Sequence, residues 1–189
     1  MRTSGDHILV LYEDAPELIA SAARFVGDGL TAGKRCQYVG DDAEFPRIAR
    51  VLAEAGIDAD SERRRGALSF MNAVEFARPA PFDRERAAEL LRRRTIDAET
   101  RRFSGLQIIT HATGAFAARP HHPAPLDYEP LMERAVGLGP ITVICIYRRD
   151  RLDQGALQQL APVHTDVIAN DLVYLSLSAY RKDPHGRLE

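Results

Sequence analysis

Apolar residues fall along this chain in two alternating rhythms: short unbroken runs, and longer stretches in which they recur every three or four positions. His7 to Tyr12 (His-Ile-Leu-Val-Leu-Tyr) is of the first kind, as expected of a strand buried on both faces. Glu13-Asp14-Ala15-Pro16 then reads as a helix start, with Asp14 placed to cap free amides and Pro16 where a missing N–H costs nothing. Leu18, Ile19, Ala22, Phe25, Val26 and Leu30 follow at helical spacing, and Gly33 closes the helix. The alternation repeats with a strand from Arg35 to Gly40, a turn and cap at Asp41-Asp42, a helix from Glu44 to Ala55 ending at Gly56, and a strand from Ala67 to Ala73. Pro79 to Phe82 reads as a linker, and Asp83 caps a long helix running to Arg102, whose apolar stripe is Ala87, Leu90, Leu91 and Ala98.

Gly105 to Thr110 predicts a fourth strand, followed by a Pro- and His-rich loop through Pro125. Tyr128 to Val136 predicts a helix, Ile141 to Tyr147 a strongly apolar strand, and Leu152 to Leu160 another helix. Val163 to Ala169 leads into a last strand near Leu172 to Leu177. Strands alternating with helices of roughly 10–20 residues imply βαβ units. The expected fold class is α/β: a mostly parallel central sheet flanked by helices on both faces. One domain over residues 7–177 is expected, with tails at 1–6 and 178–189.

Composition narrows the classes without choosing a function. The 189 residues are 45% hydrophobic and 28% charged, which fits a globular domain with a sizeable core. No apolar run approaches the roughly 20 residues that cross a bilayer, and Met1 to Asp6 lacks a signal pattern, so a cytoplasmic location without membrane contact is the expectation. A formal net charge of −2 gives no bias toward nucleic acid. The basic clusters at 63–65, 92–94 and 101–102 are interleaved with acids, as on solvated helix faces. Cys36 and Cys145 both lie in strand-like runs and read as buried, reduced thiols, although adjacent strands could bring them together.

In parallel sheets, ligands bind outside the carboxyl ends of the strands. After the first strand a phosphate-binding protein would carry a glycine-rich loop, but this chain has Glu13-Asp14-Ala15-Pro16-Glu17, with no glycine and three carboxylates. G-x-S-x-G, H-E-x-x-H and C-x-x-C are also absent. Among six histidines, His111, His121 and His122 could converge on a metal, but neighbouring side chains at 121 and 122 diverge, and no metal or cofactor is expected. Candidate ligand-binding residues at strand ends are Tyr12, Glu13, Asp41, Asn72, His111, Tyr147 and Arg148. Tyr12 and Tyr147 offer an apolar face with one hydroxyl, suited to a small, mostly apolar ligand; the other reading, that both simply finish the core, stays open. His111 titrates near neutral pH when its surroundings allow. His7 begins its strand at the opposite edge, and His164 reads as a buried, hydrogen-bonded histidine.

An ordered series of segments resembles the MEDS family of sensory domains. It comprises His7-Ile-Leu-Val-Leu-Tyr12, Phe25-Val-Gly-Asp-Gly-Leu30, Gly33-Lys-Arg-Cys-Gln-Tyr38-Val39 and Leu52-Ala-Glu-Ala-Gly56-Ile57-Asp58. Phe82-Asp83, Phe103-Ser-Gly105-Leu106, Asp127-Tyr128-Glu129, Val143-Ile-Cys145-Ile-Tyr147 and Val163-His164 through Val167-Ile168 complete it. The resemblance implies a RecA/KaiC-like core without its nucleotide loop. It also implies sensing of small molecules, in some relatives hydrocarbon derivatives, upstream of kinase, anti-sigma or DNA-binding modules. Two segments depart from the family pattern. Thr110-His111-Ala112-Thr113 stands where an acidic Gly-Glu-Met-type motif is usual, and Thr165 follows His164 where proline is frequent.

Three functions are therefore carried forward. The first is a stand-alone sensory domain that binds a small, mostly apolar ligand and signals to a separate partner, be it a kinase, an anti-sigma factor or a transcription regulator. The second is a ligand-free interaction domain of a signalling or anti-sigma system. The third is an enzyme using His111 with Glu13 or Asp41 as acid and base. A homodimer through an exposed sheet edge or helix face is compatible with all three.

Overall fold

A computed structural model describes residues 5–73, 84–111, 129, 132–134, 136–137, 139–169 and 172–175. The linker at 79–82, Asp83, the loop containing His121 and His122, residues 1–4 of the N-terminal tail and the C-terminal tail lie outside the described residues.

Six strands run parallel and a seventh antiparallel. They are β1 (His7–Tyr12), β2 (Arg35–Gly40), β3 (Leu68–Asn72), β4 (Leu106–Thr110), β5 (Ile141–Arg148), β6 (Asp166–Ala169) and β7 (Leu172–Leu175). Their order across the sheet is β3-β2-β4-β5-β1-β6-β7. The continuous apolar runs at β1 and β5 are explained by their central place. These strands pair with each other over six residues, from His7 opposite Val143 to Tyr12 opposite Arg148, and both of their faces are covered.

Strand alternation divides the core in two. On one face Val10, Tyr12, Cys36, Tyr38, Ile109, Ile144 and Ile146 meet α1 (Ala15–Thr31), α2 (Phe45–Glu54) and α3 (Ala59–Arg64). On the other, Leu9, Leu11, Val39, Ile108, Val143, Cys145 and Tyr147 meet α4 (Arg84–Thr100) and α5 (Gln154–Leu160). Met132 and Val136, in a helical segment that also holds Glu129, pack on this second face. Cys36 and Cys145 are free, buried and on opposite faces, so the two thiols do not meet.

Helix α1 follows its sequence closely. Asp14 Oδ1 accepts from the Glu17 amide at 2.9 Å, Pro16 lies in the first turn, and Leu18, Ile19, Ala22, Phe25, Val26 and Leu30 are all buried. Gly33 takes a left-handed φ of 72° that lets the chain turn straight into β2. Three expectations need correction. A short helix, α3, occupies residues to which the periodicity assigned no element. Asp58 caps it by accepting from the Asp60 and Ser61 amides, a capping signal that a six-residue helix leaves with too few apolar positions to show a period. The segment expected only to lead into the final strand is itself a strand, β6, and β7 pairs with it antiparallel, Ala169 opposite Leu172. The Asp41-Asp42 turn does not cap α2. Its N-cap position is Glu44, whose side chain turns inward.

The entries to β4 and β5 approach closely at Gly105, where Leu106 N donates to the Pro140 carbonyl at 2.9 Å. A Cβ on residue 105 would lie inside contact distance of that same carbonyl oxygen. Because the obstacle is backbone, Gly105→Ala is expected to cost about 1–3 kcal/mol, measured as a lower urea midpoint at unchanged slope.

Candidate functional site

At the carboxyl ends of β1, β2 and β4 four side chains form one hydrogen-bonded chain. Tyr12, the last residue of β1, meets His111 Nε2 through its hydroxyl at 2.7 Å. His111, one residue beyond β4, is held by its own amide, which donates to the Val39 carbonyl at 2.7 Å. Its Nδ1 lies 2.7 Å from Glu44 Oε1. The second oxygen of Glu44 accepts from the Tyr38 hydroxyl at 2.7 Å and from the Asp41 amide at 2.9 Å. Gly40 makes room for this, since a Cβ there would overlap both the Glu44 carboxylate and the Tyr38 ring. With Glu44 accepting at both oxygens, the neutral imidazole carries its proton on Nδ1 and accepts from Tyr12 at Nε2. Burial, reinforced by the nearby Glu44 charge, raises both tyrosine hydroxyls above their usual pKa, Tyr38 far more than Tyr12.

The sequence-based candidates divide around this chain. Tyr12 and His111 are in it, and Asp41 contributes its amide while its carboxylate accepts from Ala43 N. The carboxylate beside His111 is Glu44, not Glu13 or Asp41, because only the turned-in N-cap residue of α2 reaches under the imidazole. Glu13 is exposed and lies 3.8 Å from Arg149, and Arg148 is exposed and paired with Asp150 at 2.9 Å. Asn72 ends β3, the edge strand, opposite Gly40. Tyr147 faces the other side of the sheet, where its hydroxyl donates to Glu129 Oε1.

Two amides around the start of α1, where a glycine-rich loop would cradle phosphate, are taken by the chain's own acids. Glu17 N donates to Asp14 and Glu13 N to Glu17 Oε2 at 2.7 Å.

A second cluster lies in the core of the opposite face. His7, Glu129, Cys145 and His164 are all buried, and one donor atom from each falls within 4.8 Å of the others. His7 Nε2 is 3.1 Å and His164 Nε2 is 3.2 Å from Glu129 Oε2, and His7 Nε2 is 3.5 Å from Cys145 Sγ. The two imidazoles stack with centroids 3.9 Å apart. Burial by itself would lower the pKa of both rings, but Cys145 and Glu129 outweigh it and hold both rings above the ordinary histidine value. Burial likewise opposes ionisation of Glu129, yet contacts from His164 and His7 hold its carboxyl well below the usual range. His164 was legible as a buried histidine and His7 as the start of a strand at the edge opposite the ligand site; that they share a centre with Cys145 and Glu129 was not, because the four lie on separate segments.

Residues 6–165 match the family described as MEDS, the methanogen/methylotroph, DcmR sensory domain. The chain belongs to the MEDS family. The match takes in β1, both clusters and the entry to β6. This MEDS chain is similar in structure to the flagellar accessory protein FlaH of Methanocaldococcus jannaschii. The TM-score is 0.60 at 17% identity over 90% of this chain and 76% of that one. It is also similar to a KaiC-like protein of Pyrococcus horikoshii OT3, with a TM-score of 0.53 at 12% identity over 87% and 70%. At such identities the likeness establishes a RecA/KaiC-like α/β fold. No curated protein matches the MEDS chain in sequence. Among the described residues no helix is long and apolar enough to cross a membrane.

Because burial raises the pKa of the Tyr38 hydroxyl, this group couples the fold to alkaline pH. A neutral Tyr38 contributes stability fully present below about pH 10, where the unfolded chain's tyrosine ionises, and lost as pH rises beyond it. Urea titrations between about pH 8 and about pH 11 should therefore show a shallower alkaline decline for Tyr38→Phe than for the parent chain. Identical declines would assign the effect to other groups.

Proposed function

We propose that this MEDS domain is a regulatory sensor that takes a small, mostly apolar ligand at the carboxyl edge of its sheet and passes the signal to a separate protein. The observation that carries the reading is the Tyr12–His111–Glu44–Tyr38 chain. It sits at the strand ends where parallel sheets receive ligands, with His111 14% exposed. A ligand hydroxyl, which can accept from the Tyr12 hydroxyl and donate to His111 Nε2, would leave no buried polar group unpaired, while apolar atoms lie against the Tyr12 ring. The chain also supplies a means of response. Glu44 opens α2 and pins the Asp41 turn, so displacement of His111 shifts a carboxylate that anchors both. The partner is a signalling protein such as a kinase, an anti-sigma factor or a transcription regulator, and the domain works in the cytoplasm without catalysing a reaction.

The self-capped start of α1 favours this reading over nucleotide turnover, because a phosphate there would meet Asp14 and Glu17 instead of free amides. Thermal melts against short alcohols, aldehydes and ketones provide the test. A true ligand at a hundredfold excess over its Kd adds about 2.7 kcal/mol, which for a chain of this size raises Tm by about 5–10 °C. Tyr12→Phe should reduce that shift at least several-fold while leaving the unliganded fold intact. A panel that leaves Tm unmoved, or a shift indifferent to Tyr12→Phe, would count against the carboxyl-edge site.

A further inference from the structure

The cluster on the opposite face has the chemistry of a metal centre. Each imidazole engages its Nδ1 with a backbone carbonyl, His7 with Val163 O at 2.9 Å and His164 with Leu160 O at 2.7 Å. Those bonds place the ring proton on Nδ1 and direct the Nε2 lone pair of both rings inward. There they meet Glu129 Oε2 and Cys145 Sγ, so four electron-rich atoms face one another in a dry core. Glu129 Oε2 accepts no well-aligned hydrogen bond, while its sister oxygen is anchored by Tyr147. Such a gathering requires a cation at its centre, either protons on the rings or a metal ion. Protons held on both rings repel each other across the 3.9 Å stack, and a single ion bound between the two Nε2 atoms removes that repulsion.

We propose that His7 Nε2, His164 Nε2, Cys145 Sγ and Glu129 Oε2 form a closed, four-coordinate site for a zinc ion. Two nitrogens, one sulfur and one oxygen are a donor set that zinc accepts, and four protein ligands are its usual complement in sites that leave no open position. The spacing agrees. A tetrahedral ion with bonds of about 2.0–2.3 Å sets its ligand atoms about 3.3–3.8 Å apart. The contacts of 3.1, 3.2 and 3.5 Å between three of the pairs need only slight expansion to reach that. The surroundings are those of a built site: carbonyls fix both rings, Tyr147 orients the carboxylate, and all four donors come from rigid or packed positions. The ion joins the start of β1, the middle of β5, the segment before β6 and the helical segment bearing Glu129. It thereby clamps that segment to the sheet, and binding it releases the protons that the metal-free cluster holds.

The test uses the whole chain, stripped by chelator under reducing conditions and titrated with Co²⁺, then with Zn²⁺ in competition. One Co²⁺ per chain is expected, with the visible bands of a tetrahedral ion and a thiolate-to-metal charge-transfer band, all erased by one equivalent of Zn²⁺. X-ray absorption of the zinc-loaded chain should show one sulfur among lighter scatterers. Cys145→Ser should abolish the charge-transfer band, and both it and His164→Gln should weaken binding more than about 100-fold, beyond the loss typical of outer partners. Cys36→Ala, altering the thiol on the other face, should keep the band. A wild-type chain that binds Co²⁺ without a thiolate band, a sulfur-free zinc shell, or equal affinity in Cys145→Ser overturns the site. The wild-type spectra decide the matter even where a variant fails to fold.

Discussion

The parallel pairing of β1 with β5 is the constraint on which the rest of this molecule depends. Two strands at the middle of a sheet covered on both faces cannot reach water along their length, so every polar side chain they carry must find a partner inside. β1 carries two such groups, His7 at its start and Tyr12 at its end. Alternation sends them to opposite faces, since five positions separate them and the side-chain period is two. Each becomes the seed of a polar cluster, one in the core above α4 and α5 and one at the strand ends above α1 and α2.

The two clusters answer the same need in different ways. At the carboxyl edge the solution is a linear relay, each group donating to the next, ending on a carboxylate that accepts from three sides. Such a chain is complete in itself and still touches the surface, which suits exchange with an incoming ligand. In the opposite core the solution is convergent, with lone pairs aimed at a common point, and completion requires something positive at that point. A convergent site is suited to holding and a relay to responding, and the sheet keeps them apart while joining them through β1 and β5. Tyr147 is the nearest thing to a bridge: it ends the apolar part of β5 and bonds to the carboxylate of the convergent cluster.

The start of α1 keeps the strand–turn–helix geometry of a phosphate-binding loop without its glycines. The strand–turn–helix that receives phosphate in glycine-rich loops is present, but Asp14 and Glu17 occupy its amides. This substitution costs the fold nothing, because a side-chain carboxylate satisfies helix N-terminal donors as well as a phosphate does.

Periodicity and capping residues were enough to place β1, α1, β2, α2, β4 and β5, because each of these has an unbroken apolar run or a full helical stripe and its own start and stop signals. The filled phosphate position was readable too, from Glu13-Asp14-Ala15-Pro16-Glu17 alone. Helix α3 and the β6–β7 reversal were not, since six- and four-residue elements are too short for a period to emerge. The tertiary structure decided the partners. Nothing in the chain says that Glu44 turns inward beneath His111 instead of capping its helix, or that Cys145 and Glu129 meet His7 and His164. Local rules act over three or four residues, whereas these contacts run from 35 positions, Glu129 to His164, up to 138, His7 to Cys145, and exist only because the strand order β4-β5-β1-β6 folds distant segments onto one another.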